Sequence, residues 1–142
     1  MFLCELFLYF QNGKYDLASE LLRKTLMHNK SSTKAYEYMG FIMEKESSYK
    51  DAAQHYEMAW KFSNKANPSG LLCLYYFFVN CLFTFSKALF YFSVGYRLAF
   101  NYMKAKRFTD AIDVCHEVLE KNPAYPKIRK EILEKSRENI RK

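Results

Sequence analysis

Glycine and proline are scarce, at 4 and 3 of 142 residues. Tight turns between short strands need far more of both, so an all-β sandwich or barrel is excluded. The four cysteines, Cys4, Cys73, Cys81 and Cys115, show no C-x-x-C spacing and no zinc-type Cys/His cluster. Cys115 and His116 are neighbours, but adjacent helical residues point about 100° apart and do not readily chelate one ion. The thiols read as buried and reduced, as in an intracellular protein, and no metal site is expected. No Gly-rich phosphate loop is present. His28, His55 and His116 fall on separate segments, without a visible Ser/His/Asp or Cys/His arrangement. These absences predict no catalytic residues, no cofactor and no small-molecule substrate, hence no enzyme.

Acidic residues are also in deficit, and the net charge is +7. Between Lys121 and Lys142 eight basic residues face three acidic ones. Such a run reads as a solvated helix face, with acidic proteins, phosphoinositide headgroups or nucleic acid as its candidate contacts. No nucleic-acid partner is expected. The opening MFLCELFLYF is apolar but holds Glu5 and lacks a basic leader, so it does not read as a secretory signal. Its start inside a helical pattern predicts a truncated first repeat.

What the sequence has is a period. Tyr15, Ala18, Leu22 and Thr25 recur 34 residues later as Tyr49, Ala52, Tyr56 and Ala59, and 59 residues after that as Phe108, Ala111, Cys115 and Val118. Each unit reads as an A helix and a B helix. In the second unit Tyr36, Met39, Gly40 and Met43 share one helix face; Ser31 or Ser32 caps the start, and Lys45 to Ser48 make the turn. Gly40 and Ala52 leave room for a close helix crossing, with Tyr36, Tyr49 and Tyr56 filling the space around it. In the third unit Leu98, Ala99 and Tyr102 take the A-helix places, and Pro123 closes it. Phe2, Leu6 and Tyr9 match the first unit in character. This is the tetratricopeptide pattern. The chain is therefore expected to be all-α, a solenoid of about three hairpins plus a C-terminal capping helix. Its divisions are 1–30, 31–68, 94–123 and a cap over 124–142. Ile128, Ile132, Leu133 and Ile140 are expected to form the cap's apolar stripe.

Residues 69–93 interrupt the array. No charge occurs from Leu71 to Ser86, and Lys87 follows. A membrane span, a helix inserted and buried in the array, and translated non-coding sequence are the three readings. Nineteen of the 25 residues are Phe, Tyr, Leu, Cys or Ser, whose codons are pyrimidine-rich, and removing the stretch restores the 34-residue step. The third reading is therefore preferred. A span would seat Lys87 in lipid and separate repeats that must stack.

Arrays of this kind bind along the groove of their A helices. The expected groove residues are Lys34, Glu37, Phe41, Glu44 and Lys45 in the second repeat, and Tyr96, Phe100, Met103 and Lys104 in the third. Glu37 and Phe41 stand where a Lys/Asn clamp for chaperone C-terminal carboxylates would be, so chaperone-tail binding is not expected. The expected packing residues are Tyr36, Gly40, Tyr49, Ala52, Tyr56 and Ala59, with Leu98, Ala99, Phe108, Ala111 and Pro123 in the third unit.

The runs LFLYFQNGKYDLASELLRK, KAYEYMGFIMEKESSYKDAA, LAFNYMKAKRFTDAIDVC and NPAYPKIRKEIL carry more than a repeat consensus. Outside residues 69–93, the chain resembles the C-terminal end of the large tetratricopeptide-repeat subunit of intraflagellar transport complex A. That resemblance implies a non-catalytic scaffold for retrograde transport and cilium assembly. The implied partners are other subunits of the transport complex, and the implied locations are the cytoplasm, the ciliary base and the axoneme. The 69–93 stretch departs from the family's pattern, and with it goes the alternative of a membrane-associated adaptor anchored through residues 71–92. A membrane partner is expected only if that stretch is real.

Overall fold

The same backbone turn is made three times. In a computed structural model that describes residues 8–10, 12–63, 94–121, 123, 125 and 127–141, the chain turns left-handed at Gly13 (φ 66°), Ser47 (φ 62°) and Lys106 (φ 64°). The N–H that follows each bonds a carbonyl five residues back: Lys14 to Tyr9, Ser48 to Met43 and Arg107 to Tyr102, all at 2.9 Å. This is the Schellman end of an α-helix. The three turns sit 34 and 59 residues apart, so the sequence period is a period of the backbone.

Helix α1 (Tyr15–His28) follows the first turn. Helices α2 (Thr33–Lys45) and α3 (Tyr49–Phe62) form the second hairpin. Helices α4 (Val94–Lys104) and α5 (Phe108–Lys121) form the third. A π-helical stretch, Arg129–Glu134, then runs into α6 (Lys135–Arg141). No strand occurs among the described residues. Ser32 holds the N-cap of α2, but its hydroxyl makes no capping bond. Ser48 precedes α3, and its hydroxyl donates to Asp51 instead, at 2.7 Å.

Each helix packs on its neighbours in sequence order, α1 on α2, α2 on α3, α3 on α4 and α4 on α5. One core runs from Ala52 through Tyr56, Trp60, Leu98 and Val118 to Ile132; a second, around Ala18, Leu22, Met39 and Ile42, joins α1 to α2. The α3–α4 contact matters most, because it carries the array past residues 64–93. The expected insertion 69–93 lies outside the described residues, as do Phe2 and Leu6.

Small residues set the spacing. Gly40 faces the ring of Tyr56, where a Cβ would stand 2.9 Å from two ring carbons. Ala52 is fully buried further along α3. In the third hairpin Gly95 is pinched hardest: a Cβ there would lie 2.5 Å from Val118 Cγ2 and 3.0 Å from Trp60 Cζ3. Ala59, Leu98, Ala99 and Ala111 are buried as expected, and Tyr36, Tyr49 and Phe108 are half-buried.

Two expectations need correction. Pro123 is exposed rather than packed. The cap's stripe is also split: Ile128, Ile132 and Leu133 are buried, but Ile140 is 51% exposed and buried Ser136 takes a place on the inner face. The inner positions step by four, 128, 132 and 136, and Ile140 continues that step without being buried.

Candidate functional site

The nine expected groove residues come together along α2 and α4, but they do not form one open surface. Lys34, Lys45 and Lys104 are exposed. Lys34 Nζ pairs with Glu37 Oε2 at 2.8 Å, and Glu37's other oxygen is buried without a hydrogen-bond partner. Phe41 is already surrounded. Phe10 meets it edge-on at 5.5 Å, while Lys45 Nζ and the Arg97 guanidinium carbon stand 5.2 and 5.1 Å from its ring centre. Cations at that range are held by the ring's negative face. Phe100 and Met103 are half-buried against the core, with Lys104 Nζ 5.5 Å from the Phe100 ring centre. Tyr96 does not face a groove at all. It is 6% exposed, and its hydroxyl donates to Glu131 at 2.6 Å.

Glu44 is the centre of the site. Its Oε2 accepts from Arg97 Nη1 at 3.1 Å, Asn101 Nδ2 at 3.1 Å and the Tyr56 hydroxyl at 3.4 Å. Arg97 Nη1 also bonds the Tyr56 oxygen at 3.2 Å. Burial pushes the Tyr56 phenol well above its ordinary range; the Arg97 charge pulls against this and the Glu44 charge adds to it. The phenol therefore stays a donor. Three helices are tied by one carboxylate, so this cluster braces the second hairpin against the third.

Arg97 and Asn101 were not among the expected site residues. Charge pairs across helices leave no spacing signature. Asn101 left a faint one: it takes the repeat position of Ile42, a fully buried residue, and a polar side chain there requires partners. Beside the brace lies a cleft of about 40 Å³, lined by Lys34, Glu37, Tyr38, Phe41, Tyr56, Val94 and Arg97.

The histidines stay apart. His28 is exposed at the end of α1. The His55 ring lies 6.2 Å from that of Tyr36, tilted by 31°, and burial lowers its pKa. His116 Nε2 lies 3.3 Å from Arg137 Nη2. No group of three metal-ligating side chains occurs among the described residues. No helix among them is long and apolar enough to cross a membrane.

Stacked antiparallel hairpins with a repeated turn, joined through A-helix side chains, define a helical-repeat protein of the tetratricopeptide or armadillo type. Residues 2–72 and 85–137 match the family described as the Tetratricopeptide repeat protein 21 C-terminal ARM domain. The chain is 54% identical over 134 residues to mouse Tetratricopeptide repeat protein 21B, 52% to its human counterpart and 34% to the Caenorhabditis elegans homolog. Each match covers 94% of this chain and 8% of the relative. The chain belongs to the Tetratricopeptide repeat protein 21 family and spans about a twelfth of the length of these relatives. The family match breaks at 73–84, inside the 69–93 stretch and narrower than it.

Proposed function

We propose that this chain is a non-catalytic protein-interaction scaffold, the end of a subunit of intraflagellar transport complex A acting in retrograde transport and cilium assembly. Its partners are then other subunits of that complex, and it works in the cytoplasm, at the ciliary base and along the axoneme. Membership of the Tetratricopeptide repeat protein 21 family is the observation that carries this reading. The brace at Glu44 adds physical sense. It fixes α2 against α4, so that Lys34, Lys45 and Lys104 are presented from a rigid face, and rigid presentation lowers the entropy cost of docking.

The test uses the full-length parent protein in ciliated cells. Co-purification of transport-complex subunits is expected, weakened by the combined exchange of Lys34, Lys45 and Lys104 to Glu. A parent that brings down none of those subunits contradicts the reading. An adaptor anchored through residues 71–92 is the second reading, and it rests on the uncharged run Leu71–Ser86. Release of the chain from membranes by alkaline carbonate sinks it.

A further inference from the structure

Every exposed residue of α2 and α4 is a lysine: Lys34, Lys45 and Lys104. The two carboxylates of these helices are already matched. Glu37 holds Lys34, which neutralises that ammonium too, and Glu44 holds Arg97. Lys45 and Lys104 make no ion pair among the described residues; each lies against a ring instead.

These two lysines are one feature made twice. Phe41 and Lys45 recur 59 residues later as Phe100 and Lys104, the same step that separates the turns at Ser47 and Lys106. Lys45 Nζ stands 5.2 Å from the centre of the Phe41 ring, and Lys104 Nζ 5.5 Å from that of Phe100. The negative end of a helix favours a lysine at its last position in any case. The ring four residues earlier does more: it holds the ammonium in place, so a partner that takes it loses less entropy. Glu46, just past α2, and Glu138, one repeat step beyond Lys104, are both exposed. They confine the uncompensated positive charge to this one pair.

Spacing and charge select the occupant. Glu44 and Arg97 bridge α2 and α4 directly, and neighbouring helices run roughly 10 Å apart. Three residues of extended chain span about 10 Å. Between the two helices the surface dips only into the cleft of about 40 Å³ beside Phe41 and Arg97, too small to bed a helix. A nucleic-acid strand needs open ring faces for its bases, whereas Phe41 already has Lys45, Arg97 and Phe10 against it. A second copy of this chain, at +7, would be repelled. We propose that Lys45 and Lys104 seat an extended acidic segment of another protein, whose carboxylates three residues apart meet the two ammonium groups. The proposal deepens the reading of the chain as an interaction scaffold and rests on it, but not on the transport role.

The test is fluorescence anisotropy at low salt with the whole chain and acetylated, amidated peptides that are neutral apart from two charges. One peptide carries Glu at i and i+3, a second carries adjacent Glu residues, and a third carries Lys at i and i+3. The first is expected to bind saturably, the second about threefold more weakly, and the third not at all. Lys45→Gln with Lys104→Gln is expected to weaken the first peptide about tenfold, and exposed Lys61→Gln on α3 to leave it unchanged. Unchanged circular dichroism checks the fold of each variant. No binding of the first peptide, binding untouched by the double exchange, or an equal loss with Lys61→Gln overturns the proposal. Tighter binding of an oligouridylate through the same two lysines overturns it in favour of nucleic acid. If the peptide fails while transport-complex subunits still co-purify with the parent, the scaffold reading stands and the acidic seat alone falls.

Discussion

Arg97 reaches back 53 positions to Glu44, its Nη1 3.1 Å from the carboxylate Oε2. The pair ties α4 to α2 directly, across α3 and residues 64–93. Its side chains are 13% and 22% exposed, so solvent screens part of the attraction and the energy falls short of that of a deeply buried pair.

Arg97→Met is expected to cost about 1–3 kcal/mol, because Glu44 keeps its charge with its best partner gone. The double change Arg97→Met with Glu44→Met is expected to cost less than the two single changes together. Urea unfolding of the four proteins measures this; full additivity contradicts the brace.

Gly95→Ala is expected to lower stability by about 1–3 kcal/mol through overpacking, since its Cβ would meet Val118 Cγ2 at 2.5 Å. In a Val118→Ala background the same change is expected to cost less. A thermal melt in which Gly95→Ala has the same effect in both backgrounds rules out this contact. Gly40→Ala presses on Tyr56 in the same way, and a smaller loss is expected because that contact is 2.9 Å rather than 2.5 Å.

Lys106→Gly is expected to stabilise the third hairpin by about 0.5–1 kcal/mol. A side chain at φ 64° carries left-handed strain that glycine avoids, offset in part by glycine's greater unfolded freedom. A lower melting temperature for Lys106→Gly contradicts the turn as described.

Alkali should unfold the chain in a defined window. Burial pushes the Cys115 thiol up to about 12 from 9.0, with Arg137 pulling slightly down. Burial, then the Glu57 carboxylate, pushes the Tyr102 phenol up to about 12 from 10.0. Both groups hold their protons longer when folded than when unfolded. Their contribution is therefore full below about pH 9 and is lost as pH climbs through about 12. Urea midpoints across this range should fall steadily, and Cys115→Ala should remove the earliest part of the fall. A flat profile to about pH 11 contradicts the burial of these groups.

Periodic features were legible in the sequence and cross-helix features were not. Ala18, Ala52, Ala59, Leu98, Ala99 and Ala111 are buried at the expected places, because a helix face recurs at fixed spacing. The turns at Ser47 and Lys106 fall where the step from Gly13 puts them, although neither residue favours a left-handed backbone. Its place on an A helix puts Glu44 among the expected groove residues, yet Arg97, Asn101 and Tyr56 converge on it. Tyr96 was read the same way, and Glu131 on the next repeat takes its hydroxyl. Such pairings depend on how hairpins stack, which no local spacing records. Ile140 kept the apolar pattern of its helix and lost its burial, because burial at the end of an array is set by the neighbour that is present.

The central claim is that one continuous array runs from α1 to α6, with the α3–α4 stacking independent of residues 69–93. Removing those residues leaves 64–68 to join Ser63 to Val94, within the usual length of a helix–helix connection. Hydrogen exchange on this shortened chain, read against the full chain, is the most direct test. The account predicts a single cooperative unfolding transition, with amides of α3 and α4 protected as strongly as before. Loss of protection through α4 and α5, or two separate transitions, would show that the two hairpins do not stack on their own and would contradict it.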